Sequence, residues 1–158
     1  MSTIQLKNIV KKYGDGYPAV NDVSLDIADG EFMILVGPSC CGKSTLLRAF
    51  SRLLKPTGGD VILDGKAISS YGTKEVARKL GLLPQSSVAP DGISVRDLVA
   101  RGRYPHQTLW SQWSREDERA IDAALERTST SALADRYVDE LSGGQRQRVW
   151  IAMVLAQE

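Results

Sequence analysis

The sequence predicts a mixed α/β fold, strand-rich in its first half and helical in its second. Three observations carry that prediction. Residues 3–10 and 23–27 alternate apolar and polar side chains, as half-buried strands do. Phe32 to Val36 is a continuous apolar run that meets a glycine-punctuated turn and then an amphipathic helical pattern. From Ser94 onward helical spacing replaces alternation. Composition agrees with a globular chain: 158 residues, 20 basic and 19 acidic side chains, and 42% hydrophobic content. A chain of ~150 residues buries roughly 70% of its unfolded surface, enough for a sizeable core. The ordinary charged fraction and near-neutral balance argue against a nucleic-acid binder working through bulk charge, and against a disordered tail.

The elements follow in order. The first strand covers 3–10, and the turn-rich stretch Tyr13 to Pro18 leads to a second strand over 23–27. Asp29-Gly30 turns the chain into the run 32–36, which reads as a strand buried on both faces. A helix is predicted over 43–54, with Leu46, Leu47, Phe50 and Leu54 on one face. Residues 60–68 read as a hairpin turning at Asp64-Gly65. A short helix over 74–79 precedes another buried strand, 80–84. Helices are then predicted over 95–101, 115–128 (opening on the acidic start Ser114-Arg115-Glu116-Asp117) and from 143 to the end. The boundary between the halves falls near 85–92, so the reading is 1–88 for the strand-rich part and 89–158 for the helical part.

Gly37-Pro38-Ser39-Cys40-Cys41-Gly42-Lys43-Ser44 matches G-x-x-x-x-G-K-[ST], between a predicted strand and a predicted helix. Such a loop aims successive backbone N–H groups inward, and the helix N-terminus adds partial positive charge, so phosphate oxygens bind there. Lys43 would neutralise the β- and γ-phosphates, and the Ser44 hydroxyl, followed by Thr45, would ligate Mg²⁺. A plain glycine-rich turn with a chance lysine is the bland alternative. Cys40 and Cys41 are adjacent, which makes neither a disulfide staple nor a metal clamp, although a redox-sensing pair stays open. Cys40 sits mid-loop, where tight wrapping around phosphate favours positive φ and therefore glycine.

A second glycine-rich helix opening, Leu141-Ser142-Gly143-Gly144-Gln145, offers Ser142 as N-cap and two glycines that leave N–H groups open to an anion. With the phosphate loop before it, the chain resembles the ATP-binding-cassette (ABC) family, the nucleotide-binding subunits that power transporters. The resemblance implies a P-loop NTPase fold with an antiparallel β subdomain and a helical subdomain. It implies ATP and Mg²⁺ as cofactors, bound by Gly37, Pro38, Ser39, Cys40, Cys41, Gly42, Lys43, Ser44 and Thr45. Tyr13 falls where a family aromatic stacks on adenine, with a packing role equally open, and Gln85 where a glutamine contacts Mg²⁺ and the attacking water. Ser142, Gly143, Gly144 and Gln145 fall on the signature that reaches the γ-phosphate of ATP held by a partner subunit. The implied partners are therefore a second ATPase subunit and a membrane permease, with no nucleic acid.

Within the family, residues 1–39 resemble ATPases of carbohydrate importers, whereas the chain from about Arg48 onward resembles those of iron–siderophore importers. That makes a metal-chelate importer subunit the leading reading, with a carbohydrate importer and a non-catalytic nucleotide-binding or dimer-interaction module as alternatives. The segment 100–120 would lie in the subdomain that docks on the permease. There His106 reads as surface or packing, the aromatics Tyr104, Trp110 and Trp113 as core, and Arg101 with Arg103 as a solvated face. The longest apolar run, Val149 to Ala156, is far short of the roughly 20 residues of a membrane span, and the N-terminus lacks an apolar signal core. The expected place is cytoplasmic, peripheral on the inner face of the membrane.

The family's later strand ending in Asp, and the catalytic Glu after it, find no counterpart in these 158 residues. Val61-Ile62-Leu63-Asp64 fits the pattern only superficially, since Gly65 follows and the segment reads as a hairpin. The core sheet is then expected to be incomplete, the faces of 32–36 and 80–83 poorly covered, and hydrolysis by this chain negligible. Cys40→Gly is expected to tighten nucleotide binding, since glycine takes the positive φ that costs a cysteine ~1 kcal/mol or more; equal affinities in a nucleotide titration would sink this.

Overall fold

The computed structural model describes residues 3–38, 41–83, 88–107 and 113–157. The chain forms two compact units, Met1–Lys79 and Leu80–Glu158.

The first unit is built on an antiparallel sheet of β1 (Ile4–Lys11), β2 (Val20–Ile27), β3 (Gly58–Leu63) and β4 (Lys66–Ala67), in the order β2-β1-β3-β4. Leu6 pairs with Leu25 on one side and Val61 on the other. Simple alternation would put Leu6 and Ile9 on opposite faces, yet both are buried. A bulge after Leu6 resolves this: Asn8 takes φ 51°, and its side chain donates to Asp22 Oδ1 at 2.8 Å. The β3–β4 turn is Asp64-Gly65, with φ of 48° and 77°, as a tight hairpin turn requires. Asp64 is engaged structurally: its carboxylate accepts the Thr3 N–H at 2.9 Å and pairs with Lys79 at 2.6 Å.

Helix α1 (Lys43–Phe50) buries Leu46, Ala49 and Phe50. It stops four residues short of the predicted end because the Ser51 hydroxyl donates to the Leu47 carbonyl and Arg52 turns to φ 60°. Leu47, expected on the buried face, is exposed. Helix α2 (Thr73–Lys79) buries Val76, and the nearby Tyr71 hydroxyl donates to the Leu63 carbonyl at 2.8 Å.

The predicted buried strand 32–36 is corrected by the structure. The segment pairs with nothing among the described residues, and Phe32 and Val36 are each 87% exposed. An apolar run becomes a strand only where neighbouring edges accept its N–H and C=O groups. Residues 80–83 likewise form no strand, and Leu83 is exposed. Both exposures match the expected lack of cover on these faces.

The second unit packs α3 (Val95–Ala100), α4 (Arg115–Arg127) and α5 (Gly143–Leu155) around one core. Val95, Leu98 and Val99 meet Ile121, Ala124 and Leu125, with Val149 and Ala152 from α5. Those spacings of three and four put each set on one helical face. α4 opens with a capping box: the Asp117 N–H donates to Ser114 Oγ at 3.2 Å, and the Ser114 N–H donates to Asp117 Oδ2 at 3.0 Å.

Between α3 and α4 runs a 3₁₀ segment, 101–106. Gly102 admits its close approach to α5, since a Cβ there would lie 2.2 Å from the Met153 carbonyl oxygen. Arg103 is not on a solvated face: it is 4% exposed, and its Nε bonds Asp117 Oδ1 at 2.8 Å. Tyr104 and Trp113, expected in the core, are instead exposed, and Trp110 lies outside the described residues. No helix among the described residues is long and apolar enough to cross a membrane.

Ser114→Ala removes both the cap of α4 and a hydroxyl donor to Asp117. Urea unfolding is expected to show a loss of about 1 kcal/mol, with the midpoint lowered and the slope unchanged.

Candidate nucleotide-binding site

The predicted phosphate loop ends on Gly42, which holds φ 88° and ψ 0° immediately before α1. The position has no room for another residue. A Cβ at Gly42 would stand 2.1 Å from the Ala19 carbonyl oxygen and 3.4 Å from Val20 Cγ2. The loop is therefore seated against the start of β2, which is fixed in turn by the Ala19 N–H donating to the Lys11 carbonyl at 2.8 Å. No side chain caps α1. Its first-turn N–H groups, at Lys43, Ser44 and Thr45, have no acceptor within the helix and carry the positive end of its dipole.

The Lys43 side chain bends back over the loop. Its Nζ donates to the carbonyls of Gly37 and Pro38, each at 2.7 Å, and to Cys41 Sγ at 3.1 Å. That hydrogen bond holds the exposed Cys41 thiol below the ordinary thiol value, outweighing the upward push of desolvation. The ammonium thus occupies three neutral or weak acceptors, and a phosphate oxygen is a far better partner for it. Ser44 is exposed in the first helical turn, and its hydroxyl is a hard oxygen donor of the kind Mg²⁺ accepts beside phosphates and water.

Beside the loop lies a cleft of about 390 Å³. Pro18, Ala19, Val20 and Leu35 supply its apolar walls, with Cys41, Gly42 and Lys43 at the loop. That size and mixture suit a small ligand with one anionic end. The walls at 18–20 carry no motif, so the sequence reading did not name them; only the packing of Gly42 on Ala19 does. Tyr13 does not line this cleft. Its ring is 55% exposed, with Lys11 Nζ 5.4 Å from the centroid, and Lys11 also donates to the Lys55 carbonyl at 2.8 Å. Ser39, Cys40 and Gln85 lie outside the described residues.

In the second unit, Ser142 caps α5 as predicted. The Gln145 N–H donates to Ser142 Oγ at 3.4 Å, and the Ser142 N–H donates to Gln145 Oε1 at 3.0 Å. Gln145 is thereby committed to the box. Gly143 and Gly144 are exposed, with open space where a Cβ would stand, and as the first two residues of α5 their N–H groups have no carbonyl acceptor within the helix.

The model of the ABC transporter family matches residues 20–158. The chain belongs to the ABC transporter family. It is 55% identical over 142 residues to the ferric enterobactin transport ATP-binding protein of Escherichia coli, a match covering 90% of this chain and 52% of that protein. It is 48% identical over 155 residues to a petrobactin import ATP-binding protein of Bacillus anthracis, covering 98% and 56%. Identity to the iron(3+)-hydroxamate import ATP-binding protein of Bacillus subtilis is 44% over 157 residues, covering 99% and 58%. Residues 1–39, for which a likeness to carbohydrate-importer ATPases was expected, thus lie within a stretch that aligns with iron-import proteins. The chain spans little more than half the length of these relatives.

Among solved structures it resembles an ATP-binding cassette in its ADP conformation, with a TM-score of 0.83 and 27% identity over 99% of this chain and 65% of that one. It also resembles a bacterial Atm1-family ABC exporter with ATP bound, with a TM-score of 0.80 and 28% identity, covering 99% and 28%. The fold is that of an ABC ATPase.

Alkylation of Cys41 by iodoacetamide, followed by peptide mass spectrometry, tests the Lys43 contact. Because only the thiolate reacts, the midpoint of rate against pH is expected below that of an ordinary thiol, and Lys43→Ala is expected to move it upward.

Proposed function

We propose that this chain is the nucleotide-binding part of an ATP-binding subunit that powers import of iron–siderophore complexes. The observation that carries the reading is the 55% identity over 142 residues to a ferric enterobactin transport ATP-binding protein. The loop geometry supports it with a lysine, a capless helix end and an adjoining cleft. ATP places its phosphates on residues 37–45: N–H groups of the loop and of the first turn of α1 take the phosphate oxygens. Lys43 exchanges its carbonyl partners for them. The Ser44 hydroxyl, with Gln85, would hold Mg²⁺, which would supply positive charge against the phosphates. The adenine lies towards the cleft wall or against Tyr13, and a partner subunit's ATP is met by Ser142, Gly143, Gly144 and Gln145. Two subunits then enclose two nucleotides, and the helical unit docks the membrane permease on the cytoplasmic face of the membrane.

In the source organism, loss of the gene is expected to abolish uptake of radiolabelled iron–siderophore while sparing carbohydrate uptake. The full-length gene restores uptake, and a Lys43→Ala copy does not. Loss of carbohydrate uptake with iron uptake intact would reverse the substrate assignment.

A further inference from the structure

The 3₁₀ segment 101–106 repeats every three residues, so positions three apart share a face. Arg101, Tyr104 and Gln107 stand on one such line, and all three border an open groove of about 550 Å³ with Asp97, Ala100 and Trp113. Gly102 and Pro105 form a second, buried line. Arg103 and His106 form the third, and both reach the carboxyl end of α5. Arg103 Nη1 donates to the Ala156 carbonyl at 3.0 Å, and His106 Nε2 donates to the Gln157 carbonyl at 2.9 Å. The same guanidinium bonds Asp117 at the start of α4. One side chain thus joins three elements. Arg103 also places positive charge where the last carbonyls of α5 lack helical partners. α5 is a 13-residue helix, a rod of ~20 Å, that carries Ser142 to Gln145 at its other end.

We propose that Arg103 is a positioning residue that couples the groove face of segment 101–106 to the Ser142–Gln145 end of α5. A displacement of Tyr104 and Gln107 moves Arg103 on the opposite line of the same turn. The Ala156 carbonyl, and with it α5, must follow or lose a buried charged bond. A buried ion pair adds little stability over an apolar pair of like size, which fits a role in holding register. This inference rests on the proposed function, in which the membrane subunit acts through the helical unit.

The test uses the full-length protein with and without its membrane partner in proteoliposomes. It compares wild type, Arg103→Met combined with Asp117→Leu, and Arg103→Lys. The double variant also loses the Asp117 half of the α4 capping box, so it is expected to melt a few degrees below wild type while keeping its KM for ATP and its partner-free rate. Stimulation of kcat by the membrane partner is expected to fall about fivefold. Arg103→Lys, in which one ammonium replaces the two separate nitrogens that bond Asp117 and the Ala156 carbonyl, is expected to fall partway. Wild-type stimulation in the double variant overturns the proposal, as does a parallel loss of partner-free and stimulated rates. Should the double variant not fold, undiminished stimulation in Arg103→Lys overturns it. A wild type that no membrane partner stimulates would instead refute the proposed function.

Discussion

The contact of Gly42 with the Ala19 carbonyl is the constraint on which the first unit's site depends. It leaves no volume for a side chain and demands a left-handed backbone at the same residue. Meeting both conditions ends the loop and starts α1 in a single step. It also sets the direction in which the first-turn N–H groups point. A larger residue would have to lift the loop off the β2 strand, and the cleft wall at Pro18 to Val20 would part from Lys43.

Within that frame Lys43 serves as the loop's own provisional ligand. A cation held by two carbonyls and a thiol is solvated but not neutralised, so an anion would be a better partner for it. Cys41 feels the same charge as a depressed thiol value. The anion binding proposed for the loop and the thiol reactivity expected of Cys41 would therefore share one electrostatic source.

The second unit solves a different problem, the fixing of one helix end. Asp117 shows how the charges share the work. Burial pushes its carboxyl up, but the hydrogen bonds from Arg103 and Ser114 outweigh it and hold the group below the ordinary carboxylate range. A depressed carboxyl contributes stability above its unfolded value of about 4, and that contribution is lost as the pH falls through the folded value. At neutral pH the clamp on α5 is fully charged.

Local patterns were legible in the sequence wherever neighbouring residues alone decide the outcome. The Asp64-Gly65 turn, the Ser142 cap and the α4 start at Ser114 each follow from steric or hydrogen-bonding needs within a few residues. Patterns that need distant partners were not. The run 32–36 has the composition of a strand, but pairing requires an edge, and none stands beside it among the described residues. The bulge at Asn8, the burial of Arg103 and the exposure of Tyr104 arise from contacts between segments far apart in the chain. Sequence by itself determined the family, the glycine-lysine loop motif and the helix caps, because these are short-range chemistry written at fixed spacing. Only the tertiary structure decided that Ala19 backs the loop and that Arg103 holds α5, because burial depends on what else arrives at the same place.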